Sequence, residues 1–239
     1  ELMAVLDIMR ALIRDRTNLV ESFVQPIVLT WILALSVNAA FAVEVTSGET
    51  LRAFYLSFSA AEFYGVVMLI VTLLIASQYA TDMAVQCARP TAALGRPVQY
   101  GSPVRAYLSI TVGVLLMVFA SALFFLAASG LLLGVSWPWT SPAFWVLLGG
   151  VILAGVSGGF ALGGATGNRG FSDLVISVIV FGSALAAGAF FPYPETSRVW
   201  ALAPYNPFTH LLRRFLALLN RSVGPPGGVE YVVWITGIA

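Results

Sequence analysis

Five long apolar stretches follow one another along the chain, separated by short polar or proline-containing segments. A bilayer core about 30 Å thick is crossed by roughly 20 predominantly apolar residues in a helix. Helices are required because a backbone amide without a hydrogen bond is very costly in hydrocarbon. The pattern therefore predicts membrane-spanning helices at residues 23–43, 53–84, 104–133, 142–166 and 174–191. A final apolar segment, residues 229–239, is too short to span, and we expect it to begin a sixth helix that continues beyond Ala239.

The composition of the chain agrees with a lipid environment. Of its 239 residues, 59% are hydrophobic and 10% are charged, whereas a soluble domain carries about 25% charged residues. We therefore expect an all-α polytopic membrane protein in which residues 1–239 form a single transmembrane domain. The formal net charge of +1 gives no indication of a nucleic-acid partner.

The basic residues exclude one kind of nucleotide site. All 12 are arginines, and a phosphate-binding loop of the type G-x-x-x-x-G-K-[ST] requires a lysine. If ATP drives this protein, a separate chain must bind it. The lack of lysine also excludes a lysine Schiff base. With one cysteine, Cys87, and one histidine, His210, the sequence predicts neither an internal disulfide nor a multi-histidine metal site.

Residues 1–16 predict an amphipathic helix at the membrane surface. Apolar side chains recur there at helical spacing, and most charged side chains lie off that face. Because charge of this density cannot span, we expect the helix to lie on the cytoplasmic leaflet; an ordinary soluble helix face is the alternative. With the N-terminus in the cytoplasm, seven arginines fall inside and five outside, a modest bias in the expected direction.

Two Ser-Pro pairs predict helix starts, because serine caps a helix and proline suits its first position. Ser102-Pro103 opens the third span and Ser141-Pro142 opens the fourth. Between these spans, Trp137-Pro138-Trp139 predicts an aromatic belt at the level of the lipid headgroups. Residues 167–170 form a tight turn before the fifth span.

The fourth span carries a glycine at every fourth position: Gly155, Gly159, Gly163 and Gly167. Small residues let helix backbones approach closely in lipid, where the hydrophobic force between helices is weak. We expect this face to pack against a neighbouring helix of the same subunit, with a dimer seam as the alternative.

The second span is longer than a bilayer requires, and we expect it to leave the membrane as a continuous helix on the cytoplasmic side. Gln78, Asp82 and Gln86 near its inner end are four residues apart and therefore share one helical face. The prolines in residues 89–97 bracket a short helical turn that would suit docking into a groove on a soluble partner. An ordinary positively charged inner loop is the alternative.

Glu62 is a carboxylate within the second span. Such a residue is a functional candidate because burying its charge in lipid is costly, although snorkelling to the nearby outer surface explains it equally well. We take Glu62 as a candidate for a substrate pathway, together with Asn38, Phe63 and Tyr64.

The region after the fifth span breaks twice at prolines. Pro192 and Pro194 stop the helix, residues 199–203 form a short apolar piece, and Pro207 opens a second amphipathic helix at residues 208–220. Neither piece is long enough to span. We therefore expect residues 192–222 to form a re-entrant helical hairpin in the outer leaflet, with satisfied backbones and hydrated charges.

The run FFPYPETSRVWALAPYNPFTHLLRRF resembles the signature of the ABC-2-type transporter permeases, in which F-F-P, an aromatic short helix and N-P-[LF]-T follow a span. The matching positions are Pro192, Trp200, Asn206, Pro207, Thr209 and either Arg213 or Arg214. The layout of the rest of the chain is also similar. The region after the second span departs from the family pattern, which puts the docking residues in doubt.

The resemblance implies the permease subunit of an ABC exporter that does no covalent chemistry. Two such subunits would bind two cytoplasmic ATPase subunits, which hold ATP and magnesium, through a coupling loop at residues 87–101. Within that loop the expected coupling residues are Arg89, Thr91, Leu94 and Arg96. The substrate would be drug-like or lipid-like, and the location the cell membrane of a prokaryote. An ion-coupled secondary transporter and an intramembrane enzyme are the alternatives.

Overall fold

The structure, a computed structural model, describes residues 20–41, 58–88, 103–190, 202 and 204–219. A five-residue π-helical turn, Val20–Val24, leads into the first α-helix. All regular elements in the described residues are helical, and the α-helices are α1 (Gln25–Phe41), α2 (Ala60–Ile75), α3 (Ser77–Ala88), α4 (Pro103–Leu133), α5 (Pro142–Thr166), α6 (Arg169–Ala186) and α7 (Pro207–Leu219).

The predicted all-helical membrane character is confirmed. In the described ranges, four helical segments are long and apolar enough to cross a membrane: Ala60–Val85, Tyr107–Leu133, Pro142–Thr166 and Arg169–Ala186. The apolar part described in α1, Gln25–Leu35, is shorter than a span. The expected interface helix at residues 1–16 and the sixth span from residue 229 lie outside the described residues.

Local signals set the ends of α5 and α6. Pro142 lies in the first turn of α5, and Gly167 ends that helix in the left-handed conformation with a φ of 58°. The Asn168 side chain accepts a hydrogen bond from the Phe171 N–H and thereby caps α6. Because only two residues separate the helices, α5 and α6 must pack antiparallel.

The expected continuous helix in the second span is confirmed as the helical segment Ala60–Val85. It has a local irregularity at Ala76, which separates α2 from α3 but keeps a helical backbone and donates its N–H to the Thr72 carbonyl over 2.9 Å. Immediately afterwards, the carbonyl oxygen of Ser77 accepts a hydrogen bond from Thr81 and lies against Gly159 of α5. The interruption therefore coincides with the start of the contact between α3 and α5.

The predicted bounds of the fifth span, residues 174–191, are also wrong, because α6 runs from Arg169 to Ala186. The Asn168 cap starts the helix earlier, within a polar turn that a hydropathy pattern does not detect. A turn with Gly188 at a φ of 69° ends it earlier.

α2 is the central helix of the described bundle, in contact with α1, α4, α5, α6 and α7. Its residues from Phe63 to Leu73 are almost completely buried. The order of the chain gives the bundle two ends. At the Trp137 end, α2 and α5 begin while α4 and α6 end; at the Arg169 end, α3 and α5 end while α4 and α6 begin.

Trp137 does not belong to an exposed aromatic belt, contrary to the prediction. Its side chain is 5% exposed and its Nε1–H donates to Ser129 Oγ over 2.9 Å, whereas Trp139 is 45% exposed. Buried tryptophans generally need such a hydrogen-bond partner. One ring of the Trp-Pro-Trp sequence therefore packs in the bundle and the other remains at its surface.

The start of α1 lies beside the part of α4 nearer the Trp137 end. The Phe23 ring contacts the Phe124 ring edge-on, with centroids 5.3 Å apart. The sequence analysis places both the N-terminus and Arg169 on the cytoplasmic side, so the first span should start at the Arg169 end. The contact between Phe23 and Phe124 does not support this placement.

Candidate functional site

Glycines bring α3 and α5 into close backbone contact. A Cβ atom at Gly159 would collide with the Ser77 carbonyl oxygen, and one at Gly163 would lie 2.7 Å from that of Thr81. The Thr81 hydroxyl donates to the Gly159 carbonyl over 3.0 Å. The predicted packing within the subunit is confirmed. We call this contact the glycine seam; it comprises Gly155, Gly159 and Gly163 on α5 against the backbone of residues 73–81.

Gly167 does not belong to the glycine seam. No atom lies within 4 Å of a Cβ built at this position. Its left-handed backbone ends α5 instead, and a glycine adopts that conformation without steric cost. Three of the four regularly spaced glycines therefore form a packing surface, and the fourth caps the helix.

An arginine bridge connects α3 with α6 at the Arg169 end. Arg169 Nε lies 2.6 Å from Asp82 Oδ1 on α3 and 3.4 Å from Asp173 Oδ2 on its own helix. The Asp82 side chain is 11% exposed and that of Arg169 is 60% exposed. The Arg169 guanidinium thus pairs with two carboxylates: Asp82 on the neighbouring helix and Asp173 one turn further along α6.

Gln78 extends this contact one turn along α3. Its Nε2 donates to the Asp173 carbonyl over 3.3 Å and to Ser177 Oγ over 3.1 Å. Gln78 and Asp82 therefore face the same neighbour, as their spacing predicts. The side chain of Gln86, the third residue of that face, lies outside the described part.

The structure gives Glu62 a local role at the start of α2. Glu62 N–H donates to Ser59 Oγ over 3.2 Å, and Ser59 N–H donates to Glu62 Oε2 over 2.9 Å. This reciprocal arrangement is a capping box, which satisfies two backbone donors at a helix start. A contribution of Glu62 to a substrate pathway stays a prediction.

Phe63 and Tyr64, the neighbouring pathway candidates, are fully buried. The Tyr64 hydroxyl donates to the Phe190 carbonyl over 2.8 Å and thereby ties α2 to the turn after α6. Asn38 lies in α1, and its side chain is outside the described part. Phe63 and Tyr64 are therefore enclosed in the bundle, whereas Glu62 is partly exposed at the start of α2.

The predicted amphipathic helix after Pro207 is present as α7. Asn206 joins it to the bundle, because its Nδ2 donates to the Ser183 carbonyl over 2.7 Å and its Oδ1 accepts from the Phe208 N–H over 3.0 Å. Phe215 packs edge-on against Phe144 of α5, with ring centroids 5.9 Å apart. α7 therefore lies across the Trp137 end of the bundle and contacts α2, α5 and α6.

Several predicted site residues fall outside the described part of the chain. These are Pro192 and Trp200 of the motif and the coupling residues Arg89, Thr91, Leu94 and Arg96. Asn206, Pro207 and Thr209 are described, and all three belong to the start of α7.

His210 makes a local contact at the start of α7. Its Nε2 lies 2.8 Å from the Pro204 carbonyl oxygen. Among the described residues, no group of three or more His, Cys, Asp or Glu side chains is arranged to hold a metal ion.

An open groove of about 370 Å³ lies between α4 and α5, and the sequence interpretation did not anticipate it. Its lining includes Tyr107, Thr111, Ser157 and Phe160. A second groove, of about 310 Å³, runs between the end of α6 and the start of α7 beside Ser183 and Asn206.

Asp173 is the residue of the arginine bridge that the sequence interpretation missed. A carboxylate at the fourth position after Arg169, just inside a span, is the signal that would have indicated an ion pair on the helix. Its partner across the interface, Asp82, becomes apparent only from the packing of α3 on α6.

Comparisons with protein-family models, with curated proteins and with solved structures give no match for this chain.

Proposed function

We propose that this chain is the membrane-embedded permease subunit of an ATP-driven exporter of the ABC-2 type. The observation that carries the proposal is the geometry of Asn206 and Pro207, which belong to the motif that resembles the family signature. Asn206 caps α7 and ties it to α6. The motif thus joins a non-spanning amphipathic helix to the end of a span, which is the role expected for a re-entrant segment.

The motor of this exporter binds ATP outside residues 1–239, because the 12 basic residues in this stretch include no lysine for a phosphate-binding loop; we assign it to an ATPase subunit. Residues 87–101 dock onto this ATPase through Arg89, Thr91, Leu94 and Arg96, and residues 1–16 lie beside it. ATP and magnesium bind to the ATPase, and this chain does no covalent chemistry.

α3 carries movement from the docking loop into the bundle. It ends at Ala88, next to Arg89, and the glycine seam fixes it to α5. Since backbones in such close contact cannot slide without collision, a displacement of the loop moves α3 and α5 together. The arginine bridge lets α6 shift relative to α3, because Arg169 keeps Asp173 as a partner when it leaves Asp82.

The substrate is amphiphilic, either drug-like or lipid-like, and leaves the cell by alternating access between two copies of the subunit. Phe63 and Tyr64 are enclosed, so helices must separate before a substrate reaches these two pathway candidates. The full architecture comprises six spans and an outer re-entrant hairpin at residues 192–222. We place the Arg169 end in the cytoplasm of a prokaryote; a cytoplasmic N-terminus has no support from the contact between Phe23 and Phe124.

Copurification tests the coupling assignment. The chain is purified together with a P-loop ATPase from the same cell, once unchanged and once with Arg89, Leu94 and Arg96 replaced by alanine. We expect the triple variant to capture about tenfold less ATPase, because charged hydrogen bonds of about 1.5 kcal/mol or more are lost. Arg198→Ala, expected on the outer side, is the matched control. Equal capture by all three chains would contradict the docking role.

Transport in sealed vesicles tests the class of protein. Vesicles that contain the chain and the ATPase should accumulate a fluorescent amphiphile only when ATP and magnesium are supplied. Accumulation driven by an ion gradient without ATP would instead identify the ion-coupled alternative.

A further inference from the structure

α7 carries two adjacent arginines at the Trp137 end of the bundle. Its apolar face, with Phe208, Leu212 and Phe215, is buried against the spans. The exposed ring of Trp139 lies at the same end, and tryptophans favour the headgroup level of a bilayer. Arg213 and Arg214 are therefore held where lipid headgroups begin.

Arg213 lacks an acceptor for a buried part of its guanidinium. Its Nε is shielded from solvent and makes no hydrogen bond in the described part of the structure. A buried polar nitrogen without a partner is costly, and such groups in native proteins generally have an acceptor.

Thr209 presents a second buried polar atom without a partner one turn earlier. The residue is completely buried, and its Oγ1 has no hydrogen-bond partner in the described part. Residues four apart are neighbours on a helix surface, so the Thr209 hydroxyl and the Arg213 guanidinium lie along one edge of α7. Together they supply donors for one acceptor group that carries several oxygens.

We propose that Thr209 and Arg213 bind the phosphate of a membrane phospholipid headgroup. A phosphate offers several oxygens and a negative charge, and the arginine fork matches its geometry. Both unpartnered atoms are shielded from bulk water, so binding requires headgroup oxygens to come between α7 and the spans. A headgroup does this from the plane in which α7 already lies. The inference does not depend on export, on the ATPase or on which membrane side the Trp137 end faces.

Thermal unfolding of the full chain in a maltoside detergent tests this site. Phosphatidylglycerol is titrated in, and diacylglycerol with the same acyl chains serves as the lipid without phosphate. We expect phosphatidylglycerol to raise the unfolding midpoint clearly more than diacylglycerol does, because a ligand that binds the folded state stabilises it. Arg213→Gln should require about tenfold more phosphatidylglycerol for the same shift, and Thr209→Val about threefold more.

Arg214→Gln is the matched control, since it removes the same charge one position away. It should change the titration by less than Arg213→Gln does. An equal effect of the two variants would show that only the overall positive charge attracts the lipid, and this would overturn the proposal. An equal shift of the unfolding midpoint with diacylglycerol would also overturn it. Stabilisation by inorganic phosphate alone would also overturn the assignment to a lipid. If Arg213→Gln does not fold, Arg213→Lys, which keeps the charge but loses the planar fork, provides the same test.

Discussion

Arg169 at the start of α6 and Asp82 on α3 form an ion pair with Nε and Oδ1 2.6 Å apart. The same guanidinium lies 3.4 Å from Asp173, one turn further along α6. The two carboxylates differ in their surroundings, because the Asp82 side chain is 11% exposed and that of Asp173 is 27% exposed. The contact across the helices should therefore contribute more to stability than the contact within the helix.

Asp82→Asn should lower the free energy of unfolding by about 1–2 kcal/mol, less than for a fully buried pair because Arg169 is exposed. Asp173→Asn, the matched control, should lower it by about 0.5 kcal/mol or less, as surface pairs do. Thermal unfolding in detergent measures both values. Equal losses of unfolding free energy would show that the contact between α3 and α6 contributes no more to stability than the contact within α6.

Gly159→Ala should destabilise the fold by about 2 kcal/mol or more, because the new methyl group collides with the Ser77 carbonyl in a packed interface. Gly158→Ala provides the control on the same helix. A Cβ there meets nothing within 4 Å, and alanine stabilises a helix by up to about 1 kcal/mol over glycine. Similar unfolding midpoints for the two variants would contradict the glycine seam.

Asn206 makes two hydrogen bonds that separate variants can remove. Asn206→Ser keeps an oxygen that can cap α7 but loses the donor to the Ser183 carbonyl, so it should cost about 1 kcal/mol. Asn206→Ala loses both bonds and should cost about 2 kcal/mol. Protease sensitivity around residue 204 should rise in the same order. A serine variant as unstable as the alanine variant would indicate that the cap contributes nothing.

Cysteine labelling tests the proposed orientation. After Cys87 is replaced by alanine, Gly170→Cys should react only with reagents on the cytoplasmic side, and Glu195→Cys only with reagents outside. Labelling of both positions from one side would contradict a membrane-spanning α6. The reverse pattern would invert the sidedness while leaving the helices as described.

Features that depend on short stretches of chain were predictable. The third and fourth spans were predicted at residues 104–133 and 142–166, and the structure has them at Pro103–Leu133 and Pro142–Thr166. Proline at a helix start and glycine at its end act within one turn, so no tertiary information is needed. The glycine spacing also predicted close packing, because few other uses of that spacing exist in lipid.

Features that depend on a neighbouring helix were not predictable. The interruption at Ala76 has no proline or glycine to announce it, and it coincides with the contact between Ser77 and Gly159. Trp137 and Trp139 are chemically equivalent in the sequence, and the packing alone decides that Trp137 is buried. Asp82 looks like an isolated charge until α6 is placed beside α3.

The irregularity at Ala76 lies between two parts of the second span that pack against different sets of neighbours. α2 is enclosed by five other helices, so any rotation of it would disturb most of the core. α3 is fixed instead to α5 and, through Asp82, to α6. A displacement at the Arg169 end would therefore be carried by α3, α5 and α6 together, without a rotation of α2.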